Sequence, residues 1–581
     1  MSTDMWKYFE KKSKNEAKCT LCLEVLKTCG NTTNLSKHLK SRHPNVLQIA
    51  SSSSSTSTSV TAFCRNEIPA KRQKRSEETL NPIMRAFEAR ASIQPGGDRH
   101  NMITNAVLYY ICVDHKPINA VKRRDFINLL KTIESSYHLP SDTHFKNLLS
   151  TKYNSMKYLL KSELQLKDFY SLTCDIWADA LNMVSYLGIT IHYLSGEKLK
   201  SANLETISLP ERHTGDYIKE KLTSVIGDWE LNVSKITAIV TDNGSNMVCG
   251  IRNFFIAYNS SDKHQSCFAH AINLIVDKAI SDVMATDKLR EAQIESAGEP
   301  LKLILDVKTR WNSCYYMLER FVKLAPYVAQ VTISDSNAPD ILSAADIKII
   351  RELSNILQPL EYITRELSGE QYVTIPKVIP LVNCLLAQLR SIKPKTPLCI
   401  KLKQILIDTA NRRFSNVEDN SDIAVATLLD PRFKNLYFRN ENACATAIET
   451  LRSEICLHTS ISSAVLETAP NSFDFWHLHK QIVSERKKRN NTQDEVDLYL
   501  KQHVTPLTSN PLTSWEDMKE SFPNLYLKFR EYATIMATSV PAERLFSEAG
   551  TEIIEKRNRQ EPDYLNKLLF LAGRSEEDWF N

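Results

Sequence analysis

Tyr170-Ser-Leu-Thr-Cys-Asp-Ile-Trp177 and, further on, Lys235-Ile-Thr-Ala-Ile-Val-Thr-Asp242 are two β-prone runs that each carry one aspartate. Between them lie two more such runs, Tyr186-Leu-Gly-Ile-Thr-Ile-His-Tyr-Leu194 and Lys200–Leu209, joined by the turn residues Ser195-Gly-Glu197. A helix is expected over Asp216–Trp229, and Asn243-Gly-Ser-Asn246 breaks the fourth strand before another helix. The order is strand, strand, strand, helix, strand, helix. Taken alone, Asp175 and Asp242 read first as strand-end or turn residues. Their second reading is chemical: hard oxygen ligands on adjacent strands hold Mg2+, and two such ions about 4 Å apart serve phosphoryl transfer. A third carboxylate normally completes such a set.

That strand order, with one aspartate on the first strand and another ending the fourth, resembles the ribonuclease H-like fold of transposases and integrases. Motifs across the rest of the chain resemble the hAT transposase family. Leu172-Thr-Cys-Asp175-Ile-Trp177 is similar to its first acidic motif, and Val240-Thr-Asp242-Asn-Gly-Ser-Asn-Met247 to its second. Cys267-Phe-Ala-His270-Ala-Ile-Asn-Leu274 resembles its Cys-x2-His motif, and Leu305-Asp-Val-Lys-Thr-Arg310-Trp311-Asn-Ser313 the Arg-Trp motif of its inserted helical domain. Ala537-Thr-Ser-Val-Pro-Ala-Glu543-Arg-Leu-Phe-Ser547 resembles the segment bearing its last acid.

The resemblance implies that Asp175, Asp242 and Glu543 form a catalytic triad binding Mg2+ or Mn2+, with Arg310 and Trp311 engaging DNA. It leaves Trp177, Cys267 and His270 as motif residues; no second ligand pair stands near Cys267 and His270, so a structural or DNA-positioning role is preferred over zinc. The 301 residues separating Asp242 from Glu543 then call for an all-helical insertion, and Ile341–Ile356 and Val378–Leu389 have helical apolar spacing. The stretch from Ala279 to Pro300 is shorter than this family leads one to expect.

At the N-terminal end, Cys19, Cys22, His38 and His43 stand as Cys-x2-Cys-x15-His-x4-His, a spacing that closes a four-coordinate structural zinc site. Asn31-Thr-Thr-Asn-Leu-Ser-Lys-His38 opens with capping residues, which places both histidines at and just beyond the end of one helix, with Pro44 stopping it. Trp6, Tyr8 and Phe9 ahead of the cysteines, with the long gap before His38, resemble the BED zinc finger, a DNA-binding module. Asn34 and Lys37 are the helix residues expected to reach DNA.

Charge supports this. Residues 1–50 carry nine Lys and Arg against four Asp and Glu, a surplus of +5 that equals the net charge of the whole 581-residue chain. The basic patch at the front is suited to a phosphate backbone. A serine-rich linker, Ser51–Ser59, precedes Lys71-Arg72-Gln-Lys74-Arg75, which reads as a nuclear localisation signal. No apolar run of about 18 residues occurs, so no membrane span is expected. Thirteen scattered cysteines lack the rhythm of a disulfide framework and fit a reducing nucleus or cytosol.

The expected organisation is α+β and multi-domain: a BED-type finger over 1–50, a linker over 51–84, a helical region over 85–165, a ribonuclease H-like core beginning at 166–275, a helical insertion over 276–494, and a dimerisation region over 495–575 that completes the core. The expected partners are double-stranded DNA and a second copy of the chain. Three functions stay open at this point: a transposase, a domesticated nuclear transcription regulator binding DNA through the finger as a dimer, and an interaction hub.

Overall fold

The computed structural model describes residues 8–13, 16–20, 25–28, 33–42, 90–179, 184–283, 312–334, 342–462, 495–549 and 562–580. The chain divides into two compact units, residues 1–166 with 547–581, and residues 167–546.

Within the first unit, the N-terminal segment forms an antiparallel sheet of β1 (Phe9–Ser13), β2 (Glu16–Cys19) and β3 (Val25–Lys27), followed by the helix Thr33–Arg42. Among the described residues its core includes Phe9, Ala17, Cys19 and Leu35. The helix runs past His38, which therefore sits in its middle and not at its end. The reason is local: residues 39–42, Leu-Lys-Ser-Arg, offer no breaker.

The other described regular elements of the unit are helices. Asp98–Val113, Arg124–Ile133 and Asp142–Gln165 are α-helices, and Ser141 caps the last by accepting the His144 N–H. Pro562–Ala572 and Glu576–Phe580 join them: the Phe570 ring meets Tyr153 edge-on at 5.0 Å, and Lys152 Nζ donates to the Trp579 carbonyl at 2.7 Å. The C-terminal stretch thus contributes to both units, residues up to 546 to the second and 562–580 to the first.

The second unit is built on a mixed five-stranded sheet: β4 (Tyr170–Asp179), β5 (Val184–Ser195), β6 (Lys198–Leu209), β7 (Ile236–Thr241) and β8 (His264–Ser266), in the order β6-β5-β4-β7-β8. β4, β5 and β6 form an antiparallel meander, while β7 and β8 run parallel to β4. Parallel neighbours need a crossover, and the helices Gly215–Asp228 and Ser245–Ala257 supply it. These two helices approach closely because Gly215 and Gly250 face each other; a Cβ on Gly250 would lie 2.9 Å from the Gly215 carbonyl. β8 is the strand that the sequence did not announce.

From the helix Phe268–Val283 to the helix Val540–Ala549, every described regular element is helical. The apolar cluster is nonetheless continuous, running from Leu194, Ala238 and Val240 of the sheet through Ile272 and Ile275 to Leu360, Leu386, Leu406 and Trp515. Among the described residues no helix is long and apolar enough to cross a membrane, and Cys174, Cys267 and Cys399 are buried free thiols.

Candidate carboxylate site and zinc finger

Asp175 lies on β4 opposite Gly188 of β5, in a strand whose other face, Leu172 and Cys174, is fully buried. Asp242 follows the last residue of β7, where its carboxylate Oδ1 accepts the Gly244 N–H at 3.2 Å and so opens the turn into the helix Ser245–Ala257. β4 and β7 are parallel neighbours, with Thr173 opposite Val240, so the two aspartates emerge at the same end of the sheet.

Glu543 arrives by a different route. Residues 534–539 thread against the sheet before the helix Val540–Ala549 begins. Ser171 Oγ donates to the Thr534 carbonyl at 2.5 Å, and Thr237 Oγ1 meets Thr534 Oγ1 at 2.8 Å, which fixes the segment to β4 and β7 together. The Phe268 N–H donates to the Ala537 carbonyl at 3.0 Å, and the Ser539 N–H to Cys267 Sγ at 3.3 Å. Ser539 then donates its hydroxyl to Glu543 Oε1 at 3.3 Å.

The three carboxyl groups share one electrostatic environment. Burial, and behind it the charge of Asp242, raises Asp175 well above the usual carboxylate range. Burial raises Glu543 as well, followed by the charges of Asp175 and Asp242, against which the Ser539 hydrogen bond works. None of the three has a basic partner among the described ion pairs. Such a cluster of acids suits a divalent cation. As the chain stands, no three His, Cys, Asp or Glu side chains among the described residues are drawn up tightly enough to hold a metal ion.

Cys267 is fully buried, and burial with Glu543 behind it pushes its thiol up to about 12. Its sulfur accepts both the Ser539 N–H and the His270 N–H, the latter at 3.4 Å, so it caps the helix Phe268–Val283 and holds the 534–539 segment at once. Trp177 stacks on Tyr186 across the β4–β5 pair, rings 6.0 Å apart. Arg310 and Trp311 lie outside the described residues, as do Lys71, Arg72, Lys74 and Arg75 and the stretch 284–300.

In the finger, Cys19 closes β2 fully buried and His38 is 7% exposed, with the Phe9 ring edge-on to the imidazole and the ring centres 5.9 Å apart. Cys22 and His43 lie outside the described residues. Cys19 and His38 put a buried thiol and a buried imidazole in one small module, and these are donors that a structural zinc would use. Leu35 and His38 share the inner face of the helix, while Asn34 and Lys37 are exposed on the outer one. The Asn34 amide is engaged: it donates to the Lys27 carbonyl at 2.9 Å, tying the helix to β3.

Comparison with known families matches the BED zinc finger to residues 3–44 and the hAT family C-terminal dimerisation region to residues 495–574. The ZBED1 RNase-like domain matches residues 173–262, and the ZBED1 RNase-like helical domain residues 245–356. The chain is 24% identical over 625 aligned residues to zinc finger BED domain-containing protein 4 of Homo sapiens, covering 98% of this chain and 51% of that protein. It is 21% identical over 526 residues to the putative AC transposase of Zea mays, covering 79% and 63%. To zinc finger BED domain-containing protein 6 of Mus musculus it is 22% identical over 552 residues, covering 82% and 55%. The chain thus spans between about half and two thirds of the length of these relatives.

Proposed function

We propose that this chain, a hAT transposase-like protein with an N-terminal BED-type zinc finger, is a nuclear zinc-dependent DNA-binding protein that keeps a site for metal-dependent DNA cleavage and strand transfer. One observation carries the catalytic half of this reading: the 534–539 segment brings Glu543, about 300 positions on in sequence, into the charge environment of Asp175 and Asp242. Folding spends buried polar contacts on gathering three like charges, and a purely structural core has no use for that arrangement.

In this reading Asp175, Asp242 and Glu543 hold Mg2+ or Mn2+, which supplies activation of the attacking oxygen and stabilisation of the leaving one at a phosphodiester. The residues of the chain do the rest. The β4–β7 pair fixes two carboxylates, and the Cys267–Ser539 contact fixes the third. Cys19, Cys22, His38 and His43 bind zinc and hold the finger helix against DNA, with Lys37 reaching a phosphate. The helices between residues 276 and 494 form an insertion into the ribonuclease H-like core, Arg310 and Trp311 contact DNA from it, and the 495–575 region pairs two copies. Lys71, Arg72, Lys74 and Arg75 direct nuclear entry.

The second reading, a domesticated regulator that binds DNA as a dimer without cutting it, is favoured by the stretch from Ala279 to Pro300, shorter in sequence than the family resemblance leads one to expect. Cleavage separates the two. The zinc-loaded protein is incubated with supercoiled plasmid in Mn2+ beside Asp175→Ala; nicking by the wild type alone supports the catalytic site, and equal nicking by both leaves the regulator.

A further inference from the structure

The residue after Glu543 is committed to a different element. Arg544 forms an ion pair with Glu370 through Nη1, and its Nη2 donates to the Ser368 carbonyl at 3.1 Å. Residues 367–374, the loop after the helix Ala344–Leu367, make two more contacts with the segment that delivers Glu543. Thr538 Oγ1 donates to the Leu367 carbonyl at 3.3 Å, and the Ala537 N–H donates to Thr374 Oγ1 at 3.0 Å.

The loop is stiff. Val373 and Thr374 are buried, and the Tyr372 ring folds back over Gly369, where a Cβ would come within 2.2 Å of it. Tyr372 donates to the Glu366 carbonyl at 2.8 Å, and Lys377 Nζ lies 4.2 Å above the same ring while pairing with Glu366.

The loop is also registered on the strand that bears Asp175. Ser201 Oγ on β6 donates to the Glu370 carbonyl at 3.3 Å, so it must accept from His192 Nδ1, 2.7 Å away on β5. That places the imidazole proton on Nδ1 and leaves Nε2 to accept from Thr173 Oγ1 at 3.0 Å. Thr173 is two residues before Asp175. One directed line of hydrogen bonds therefore runs from the Asp175 strand, through His192 and Ser201, to the loop that grips the neighbour of Glu543.

We infer that residues 367–374 act as a brace that sets Glu543 against Asp175, with Glu370 as a positioning residue working through Arg544. This rests on the reading of the three acids as a metal site. Supporting groups that orient metal-binding carboxylates are expected to tune affinity without touching the ion.

The test is Mn2+ binding to the zinc-loaded chain of residues 1–581, followed by calorimetry and by Mn2+ electron paramagnetic resonance. Asp175→Ala should lose binding at this site. Glu370→Ala should weaken it about tenfold, the usual cost of removing an orienting partner, while Glu370→Gln, which keeps an acceptor for Arg544, recovers most of the loss. The Glu370→Ala/Arg544→Ala double variant should be no weaker than Glu370→Ala alone, since the two act as one unit. Melting temperatures taken without Mn2+ report folding separately, and the partly exposed ion pair should leave them nearly unchanged. Wild-type affinity in Glu370→Ala beside lost binding in Asp175→Ala overturns the brace and leaves the metal site standing. Binding that Asp175→Ala does not weaken overturns both.

Discussion

The sulfur of Cys267 accepts the backbone N–H of Ser539 at 3.3 Å, joining residues 272 positions apart. The same sulfur caps the helix that follows β8, so one small side chain sets where that helix starts and where the segment leading to Glu543 runs. Cys267→Ala leaves both N–H groups short of an acceptor in a fully buried place and is expected to cost about 1–3 kcal/mol. Cys267→Ser keeps an acceptor and should recover part of that. Urea unfolding of the two variants checks the order, and equal stability of alanine and serine would count against the cap.

Asp175 carries the second prediction. Its carboxyl is raised in the folded chain, so its contribution to stability is full below the unfolded value near 4 and is lost as pH rises through the folded one. The metal-free protein should therefore lose stability as pH climbs from 5 to 8, and Asp175→Asn should flatten that decline. Added Mn2+ should stabilise the wild type and leave the variant unmoved. Thermal melts with and without Mn2+ at the two pH values decide it.

His192 shifts the other way. Fully buried, it is lowered to about 3, because the charged form has no water and the Thr173–His192–Ser201 line has no place for a second ring proton. The unfolded chain takes up a proton near 6.5 and the folded one does not, so stability falls as pH drops from 6.5 towards 3. His192→Gln should be less stable at pH 8 by about 1–3 kcal/mol, through lost hydrogen bonds, yet show a flatter profile between pH 5 and 7. Parallel slopes in the two proteins would sink this.

The sequence carried the sheet and the acids unevenly. β4 to β7 were legible because alternating or continuous β-branched residues mark a strand wherever it pairs. His264-Gln265-Ser266 was not, since three polar residues become a strand only by hydrogen bonding to Ile239, Val240 and Thr241. Glu543 was found through its motif, but the groups that hold it, Ser171, Thr237, Cys267 and Thr374, are ordinary polar residues whose roles exist only after chain closure. Glu370 shows the same limit: nothing local pairs it with an arginine 174 residues away. The finger was legible as a spacing, whereas the extension of its helix to Arg42 depended on weak propensities beyond His38.

The finger helix gives the last prediction, which turns on two exposed neighbours with different duties. Asn34 holds the Lys27 carbonyl, so Asn34→Ala should loosen the helix from β3 and lower zinc retention under a chelator, weakening DNA binding through the fold. Lys37, on the same outer face, has no such contact among the described residues. Lys37→Ala should leave zinc retention intact, weaken binding to a mixed-sequence duplex, and reduce the slope of log affinity against log salt by about 1, the signature of one lost phosphate contact. Cys19→Ser should abolish binding in either salt by unfolding the finger. Fluorescence anisotropy across a salt series, beside a zinc-release assay, separates the three; an unchanged salt slope in Lys37→Ala would remove that lysine from the interface.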